Sequence, residues 1–378
     1  MKYKVEGRKV VNIVLIIACI AVLFTNLFAE SLSKLLYLKP DYEFKNQTEI
    51  HFISVGQGDA IAIKFDNGKV MLIDSGIKEY RKNLENYLDN ILLGKDKIID
   101  YLVLTHIDID HSGNMQFLLE NYKVSSFYRP FILSTIEDET SQNSSYVYDN
   151  IIATAMANNV NLKFNEAGIS LTVGNNILTW LAPIDIENKE NPESNEFSAV
   201  IRLDYNNHSV LFTGDISDDI EQDLISTYSY EMLDVDILKL PHHGSAYSNS
   251  TDFLEATSPD FACVCVGENT YGHPANKTLE RILEYDSQYD KSLYNNLYST
   301  DDDNNVIFTL SNQIGVQTIV NINNYSFVSY YIYSIIVVVL LLIVMLTPYF
   351  KIYLKNRRFV KQNQDFEKNS QISSKQQK

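Results

Sequence analysis

The stretch THIDIDHSGN, residues 105–114, directly follows the apolar run YLVL, residues 101–104. It places two histidines and two aspartates within six residues, namely His106, Asp108, Asp110 and His111. The apolar run predicts a buried strand, so these polar side chains lie at its carboxyl end. Four ionisable groups at one strand end are costly to bury unless they are paired or bind a metal. Imidazole and carboxylate ligands together suit zinc, manganese or iron better than calcium.

Three further polar clusters stand at the ends of predicted strands. Asp74 ends the segment LID, Asp215 ends LFTGD, and the pair His242 and His243 follows VDILKLP. Loops after strands aim side chains from a rigid sheet, so we expect these clusters to converge with the HIDIDH stretch. Taken alone, Asp74 or Asp215 has a simpler interpretation, because an aspartate after a strand often caps a turn or a helix.

Strand patterns alternate with helix patterns around these clusters. The segments EIHFISV, AIAIKF and KVMLID predict three opening strands separated by glycine-containing turns. Further strands are predicted at residues 101–105, 177–181, 199–203, 209–212 and 235–240, with a closing hairpin at 306–310 and 316–320. Helices are predicted near residues 79–93, 114–121, 218–226 and 278–284. This alternation over residues 48–320 predicts an α/β layered domain.

The order of these motifs resembles a known family. HFISVGQGDA, LIDSG, HIDIDH, FTGD, LPHHGS and YGHP follow one another as in the metallo-hydrolase domain of ComEC-type DNA-uptake proteins. HIDIDH resembles the HxHxDH signature of the metallo-β-lactamase superfamily, with Asp108 in place of the second histidine. The resemblance covers nearly all of residues 50–310. It implies a four-layer αββα sandwich with a metal site at one edge.

The resemblance also implies a ligand set for one or two divalent ions, with Zn²⁺ preferred and Mn²⁺ as the alternative. The implied ligands are His106 and Asp108 for one ion, Asp110, His111 and His242 for a second, and Asp215 as a bridge. His243 is the alternative to His242. Asp74 would support the HIDIDH loop from behind the ligands, and Asp59 of the GQGD turn is a further supporting or alternative residue.

Two residues are candidates for catalysis. Asp110 would hold a metal or orient the nucleophilic water, and His273 would protonate the leaving group or grip the substrate. For His273 a turn histidine before Pro274 is the alternative interpretation.

The sequence also departs from the family pattern. Between HIDIDH and Asp215 only His208 is a histidine, and Asn195 to Ser198 stand where many superfamily members supply a metal ligand. ComEC-type proteins normally add a many-helix channel and a small β-domain, and we expect neither here. This departure argues against DNA transport by the chain alone.

Two uncharged apolar segments, residues 10–28 and 327–350, predict transmembrane helices on either side of the hydrolase domain. Lysine and arginine precede the first segment and follow the second, which predicts a cytoplasmic N-terminus (1–9), a basic, disordered cytoplasmic tail (351–378) and an extracytoplasmic domain. Residues 31–47 would link the first span to that domain. A signal peptide cleaved near Ala29 is the alternative for the first segment.

Charge and composition narrow the function. The chain has a net charge of −17, and removing its basic ends leaves an acidic middle segment that disfavours tight nonspecific nucleic-acid binding. Cys263 and Cys265 alternate on a predicted strand and are interpreted as buried small hydrophobic residues.

Our first hypothesis for the function is an extracytoplasmic phosphodiesterase or nuclease, with single-stranded DNA and cell-wall head groups as the candidate substrates. A phosphorylcholine-type esterase and a non-catalytic binding or scaffold module are the alternatives.

Overall fold

The computed structural model describes residues 47–93, 95–132, 144–185, 193–319 and 357–358. All of these except the last pair fall within one compact unit, residues 39–324. No helix within these described ranges combines the length and the apolar character needed to cross a bilayer. The predicted spans at 10–28 and 327–350 lie outside the described residues, as do nearly all of the linker and most of the tail.

Two β-sheets form the centre of the domain. The first has eight strands in the order β15-β14-β1-β2-β3-β4-β5-β6, and the second has seven in the order β13-β12-β11-β10-β9-β8-β7. The strand bounds are β1 Thr48–Phe52, β2 Ile61–Lys64, β3 Val70–Ile73, β4 Ile98–Val103, β5 Lys123–Arg129, β6 Asn161–Phe164, β7 Ser170–Val173, β8 Asn176–Ala182, β9 Val200–Tyr205, β10 His208–Phe212, β11 Ile237–Lys239, β12 Phe261–Val264, β13 Leu297–Ser299, β14 Asn305–Leu310 and β15 Ile314–Ile319.

Helices connect many of these strands. The described α-helices are Arg81–Tyr87, Ile109–Ser112, Met115–Asn121, Ser144–Ala157, Asp218–Thr227, Tyr230–Leu233, Thr251–Thr257 and Asn276–Tyr289. A π-helical turn, Leu88–Leu92, extends the first of them, and shorter 3-10 turns occupy Lys78–Tyr80, Ser194–Phe197, Pro241–Gly244 and Tyr294–Asn296. The predicted helices near residues 79–93, 114–121, 218–226 and 278–284 are therefore confirmed, and so is the predicted closing hairpin, which is β14 paired with β15.

Three apolar clusters separate the layers. Alternate residues of each strand point to opposite faces, so Ile50 and Phe52 of β1 pack between the sheets against residues such as Val210 of β10. A second cluster joins the outer face of the first sheet to helix residues such as Leu84. A third joins the outer face of the second sheet to residues such as Ile282. The order helix, sheet, sheet, helix agrees with the predicted four-layer αββα sandwich.

Parallel pairing determines where the polar clusters meet. β3 runs parallel to β4, and β10, β11 and β12 run parallel to one another. The carboxyl ends of parallel strands lie at the same edge of a sheet, and functional loops are commonly placed there. The loops that follow β3, β4, β10 and β11 carry Asp74, the HIDIDH stretch, Asp215 and the histidine pair, respectively.

Candidate metal centre

Three histidines each have one buried ring nitrogen that no other group satisfies. Among the described residues, the Nε2 atoms of His106, His111 and His243 are buried and have no hydrogen-bond partner. A buried polar atom without a partner is costly, so each requires an explanation. All three side chains are essentially inaccessible to solvent. An ion bound by these nitrogens would satisfy them.

The other nitrogen of each ring is held by the protein. His111 Nδ1 lies 2.8 Å from Asp74 Oδ2, and His243 Nδ1 lies 2.7 Å from the carbonyl oxygen of Cys265. His106 Nδ1 lies 3.0 Å from Thr105 Oγ1, which itself donates to Asp74. These partners keep a proton on Nδ1, so Nε2 is the ring nitrogen that an ion can bind once any proton on it is displaced. Metal-binding histidines are held in the same way in known sites.

Carboxylates complete this volume. Asp215 Oδ2 lies 3.2 Å from His111 Nε2 and 3.1 Å from His243 Nε2, and Asp110 Oδ2 lies 3.3 Å from His243 Nε2. Tetrahedral zinc bonds of about 2.0–2.1 Å place neighbouring ligand atoms roughly 3.3 Å apart. The separations therefore fit a divalent ion. Asp59, His111, Asp215 and His243 each have one potential ligand atom, and these four atoms all lie within 4.8 Å of one another.

The same contacts shift the ionisation of the residues. Burial opposes protonation of His243, but the Asp215 and Asp110 carboxylates outweigh it and raise its pKa to about 10. Burial likewise opposes protonation of His111, yet Asp215 and Asp74 raise its pKa well above the usual value. Burial disfavours the charged form of Asp215, but His111 and His243 bring its pKa well below the usual value. The histidines and carboxylates thus stabilise one another's charged forms in the metal-free protein.

The two adjacent histidines occupy different positions. His243 is buried within the cluster, whereas His242 is partly exposed and its Nε2 lies 3.9 Å from Asp215 Oδ2. Both have left-handed backbone conformations, with φ of 49° for His242 and 52° for His243. This turn directs one ring inward and leaves the other at the rim. The geometry favours His243, the alternative of the sequence analysis, over His242 as a ligand.

His106 and Asp108 form a more open part of the site. His106 Nε2 lies 3.8 Å from Asp108 Oδ2, and 40% of the Asp108 side chain is exposed. Ser198 ends the stretch that the sequence resemblance aligns with a histidine ligand of many superfamily members. Its Oγ lies 3.4 Å from His106 Nδ1 and accepts a hydrogen bond from the backbone N–H of Asp215. Ser198 therefore holds two neighbours in place.

The GQGD turn lies against the HIDIDH helix. The Cβ of any residue other than glycine at position 58 would overlap the carbonyl oxygen of Asp110. Gly58 has φ of 146°, and the backbone N–H of the next residue, Asp59, donates to that same carbonyl at 3.2 Å. The close approach places the Asp59 carboxylate within 3.4 Å of His243 Nδ1.

His273 lies at the outer side of the cluster. Its ring stacks on that of His243 with a centroid separation of 6.4 Å, and Tyr271 stacks on His273 at 5.9 Å. The Asn269 side chain makes four hydrogen bonds to the backbone of this loop, to Gly267, Gly272 and His273. Tyr271 is nevertheless 76% exposed. A rigid loop thus presents an aromatic face beside the site.

Sequence reasoning missed one residue of the site, Lys239. It is the last residue of β11 and is fully buried. Its Nζ lies 2.7 Å from Asp59 Oδ2 and 3.4 Å from Asp215 Oδ1. A buried lysine next to two carboxylates is unusual unless it is paired in this way. The sequence VDILKL shows a lysine within a strand pattern, but nothing in it indicates that this lysine belongs to the site.

Comparison with known proteins places the chain in a family. Residues 53–268, more than half of the chain, match the Metallo-beta-lactamase superfamily. The chain is 25% identical over 297 residues to ComE operon protein 3 of Bacillus subtilis. The aligned region covers 74% of this chain and 35% of that protein. The chain is 26% identical over 242 residues to Recombination protein 2 of Haemophilus influenzae, covering 63% and 27%.

A third relative, Competence protein ComA of Neisseria gonorrhoeae, is 23% identical over 252 residues, covering 65% of this chain and 31% of that protein. The chain thus spans about a third of the length of the curated relatives that it matches. The predicted resemblance to ComEC-type competence proteins is confirmed. Together with the two-sheet fold and the histidine–carboxylate cluster, these matches show that the chain belongs to the metallo-β-lactamase superfamily.

Proposed function

We propose that this chain is a membrane-anchored, extracytoplasmic phosphodiesterase or nuclease that uses a divalent metal, with Zn²⁺ preferred and Mn²⁺ as the alternative. One observation carries the proposal: the buried Nε2 atoms of His111 and His243, which have no hydrogen-bond partner among the described residues, face carboxylates at 3.1–3.3 Å, separations that fit metal ligands. When bound, the ion supplies a water of lowered pKa and neutralises charge growing on a phosphoryl oxygen.

The residues divide into two groups of ligands. We assign His111, His243, Asp110 and Asp215 to the main ion, because their facing atoms lie 3.1–3.3 Å apart. His106 and Asp108 are the candidates for a second, more weakly held ion, because Ser198 stands in place of a further imidazole ligand.

The mouth of the site supplies groups for the substrate. The Asp110 side chain is 32% exposed, so it reaches from the ligand cluster to the solvent side and can orient a nucleophilic water. Burial and the neighbouring His243 lower the pKa of His273. His273 is therefore mostly neutral at pH 7 and positions the substrate by hydrogen bonding, and it protonates the leaving group only in its minor protonated form.

The relatives and the charge of the chain favour different phosphoesters. Competence and recombination, the words in the relatives' names, support DNA as the substrate. A net charge of −17 and a pI near 4.8 instead support a small or zwitterionic head group such as phosphorylcholine. A phosphorylcholine-type esterase is therefore the second candidate.

Hydrolysis by the purified full-length chain in detergent would distinguish these functions. The protein would be stripped of metal, reloaded with Zn²⁺ or Mn²⁺, and given single-stranded DNA, bis-p-nitrophenyl phosphate and p-nitrophenylphosphorylcholine. Metal-dependent cleavage of DNA that disappears in Asp110→Ala supports the nuclease. Activity confined to the choline ester supports the esterase. Failure to take up metal or to turn over any substrate would leave only a binding or scaffold role.

The membrane topology is a separate part of the proposal. It rests on the apolar segments 10–28 and 327–350 and on their basic flanks. Protease added to intact cells should then remove the domain of residues 48–320 while the basic tail stays protected. A protected domain and a degraded tail would show the opposite orientation.

A further inference from the structure

Lys239 divides the two oxygens of Asp215 between different partners. Asp215 Oδ1 lies 3.4 Å from Lys239 Nζ, whereas Oδ2 is the oxygen that faces His111 and His243 at 3.2 and 3.1 Å. Lys239 also donates to the carbonyl oxygen of Gly214 at 2.7 Å, so its ammonium group is fixed against the backbone beside Asp215. The carboxylate cannot rotate without breaking this contact.

Lys239 also holds Asp59 on the far side of the histidine rings. Asp59 lies 2.7 Å from Lys239 Nζ and faces Nδ1 of His243 at 3.4 Å and Nδ1 of His111 at 3.9 Å. Those Nδ1 atoms donate to Cys265 and Asp74. An ion bound to the Nε2 atoms is therefore separated from Asp59 by the width of the imidazole rings.

We infer that Lys239 is a positioning residue of the metal centre, which restricts Asp215 to ligation through one oxygen and retains Asp59 as a carboxylate that does not bind the ion. The position of Lys239 in β11 explains how this is achieved. Ile237, two residues earlier, packs between the sheets, so Lys239 points the same way and replaces an apolar core residue with a fixed charge. The inference rests on the metal centre proposed above.

Metal ligation by cobalt-substituted protein tests this inference without relying on catalysis. The full-length chain would be loaded with Co²⁺, and its metal content and visible absorption spectrum would be measured. Asp59→Asn keeps a side chain of the same shape and an oxygen that can accept from Lys239. We expect it to bind as many ions as the parent chain with an unchanged spectrum, whereas Asp215→Asn, the matched ligand change, should alter both.

The second variant removes the lysine together with its partner charge. In Lys239→Met/Asp59→Asn no uncompensated buried carboxylate remains at position 59, which protects the fold. Asp215 Oδ1 becomes free to join the ion, so the coordination number rises and the cobalt absorption falls in intensity. Metal affinity should change by roughly 10–100-fold, as is usual for residues that orient ligands.

Two results would overturn the inference. Loss of a bound ion or a changed spectrum in Asp59→Asn would show that Asp59 is a ligand. A parent-like cobalt spectrum in the double variant would show that Lys239 does not position Asp215. If the parent chain binds Co²⁺ but cleaves no phosphodiester, the proposed function fails while this inference can still be decided.

Discussion

The inner wall of the site differs from its mouth in burial and in contacts. The inner wall consists of His111, His243, Asp215 and Lys239, and the mouth consists of Asp108, His242, Tyr271 and His273. Every inner side chain is buried and is tied to at least one further protein group. The mouth residues are at least partly exposed, and three of them contact through their rings: Tyr271 stacks on His273, and His242 meets His273 edge to face. In the proposed site the inner wall therefore holds the main ion, whereas the mouth receives the substrate and includes Asp108, the candidate ligand of a second ion.

The neighbouring histidines give the sharpest test of this difference. Asparagine tolerates the left-handed backbone of both positions, so His243→Asn and His242→Asn change the side chain without straining the turn. We expect His243→Asn to lower metal affinity and hydrolysis by more than the roughly 10–100-fold that loss of an outer partner causes. His242→Asn should retain its metal content. The metal content of both variants would be measured by elemental analysis. An equal loss in the two would contradict the claim that His243 binds the ion and His242 does not.

A change at Asp74 tests whether metal binding by the inner wall depends on the hydrogen bonds that hold its histidines. Asp74 accepts hydrogen bonds from the backbone and hydroxyl of Thr105 and from His111 Nδ1, at 2.7–2.8 Å. Asp74→Asn should weaken metal binding by roughly 10–100-fold because the His111 ring loses its charged acceptor. Competition with a chelator would measure the affinity. Asp260→Asn, which changes an exposed aspartate paired with Lys291, is the control and should leave affinity unaltered.

Proton release should distinguish the wall from the mouth as well. The pKa of His243 is raised from 6.5 to about 10 in the metal-free protein, so its proton stabilises the fold fully below pH 6.5 and this contribution disappears as pH rises through about 10. An ion must displace that proton, so metal affinity should rise up to ~10-fold per pH unit for each proton released. Calorimetry in buffers of different ionisation enthalpy would count the protons. Metal uptake at pH 7 without proton release would contradict the assignment.

The smallest effect is expected at the rim of the mouth. Tyr271 presents an open ring face, and base stacking on an aromatic ring contributes about 1–3 kcal/mol. Tyr271→Ala should raise KM for single-stranded DNA by roughly fivefold, the lower end of that range, and Tyr271→Phe should not. Metal content should stay constant.

Tyr230→Ala is the matched control for this prediction. Tyr230 is also exposed but precedes β11, at the opposite edge of the sheet from the histidine pair. An equal rise in KM in both tyrosine variants would mean that the effect does not arise at the mouth.

The layered fold was predictable from the sequence because strand patterns alternate clearly with helix patterns. The polar clusters marked the ends of several of those strands. The strand predicted around Cys263 is confirmed as β12, whereas the segment LYS, which forms β13, and the helix Thr251–Thr257 were not predicted, since each is short and its pattern is settled by packing. Cys263 on β12 and Cys265 just after it are buried and form no disulfide, which agrees with their interpretation as small hydrophobic residues.

The candidate site was only partly predictable for a similar reason. Adjacent histidines have the same sequence context, and only the left-handed turn determines which of them faces inward. Lys239 was missed because its partners are distant in sequence: Asp215 follows the neighbouring strand β10, and Asp59 approaches only when the other sheet packs against this one. Ser198 was noted only as the absence of a ligand, whereas the fold uses it to hold Asp215.

The left-handed turn at the histidine pair has a consequence for engineering this domain. A residue with a Cβ in that conformation destabilises the native state by about 1–2 kcal/mol relative to glycine. Position 242 is at the rim, so His242→Gly would relieve strain without opening a cavity. The substitution expected to make the domain more heat-resistant therefore lies at the mouth of the proposed site, where the demands of stability and of the proposed activity oppose each other at one side chain.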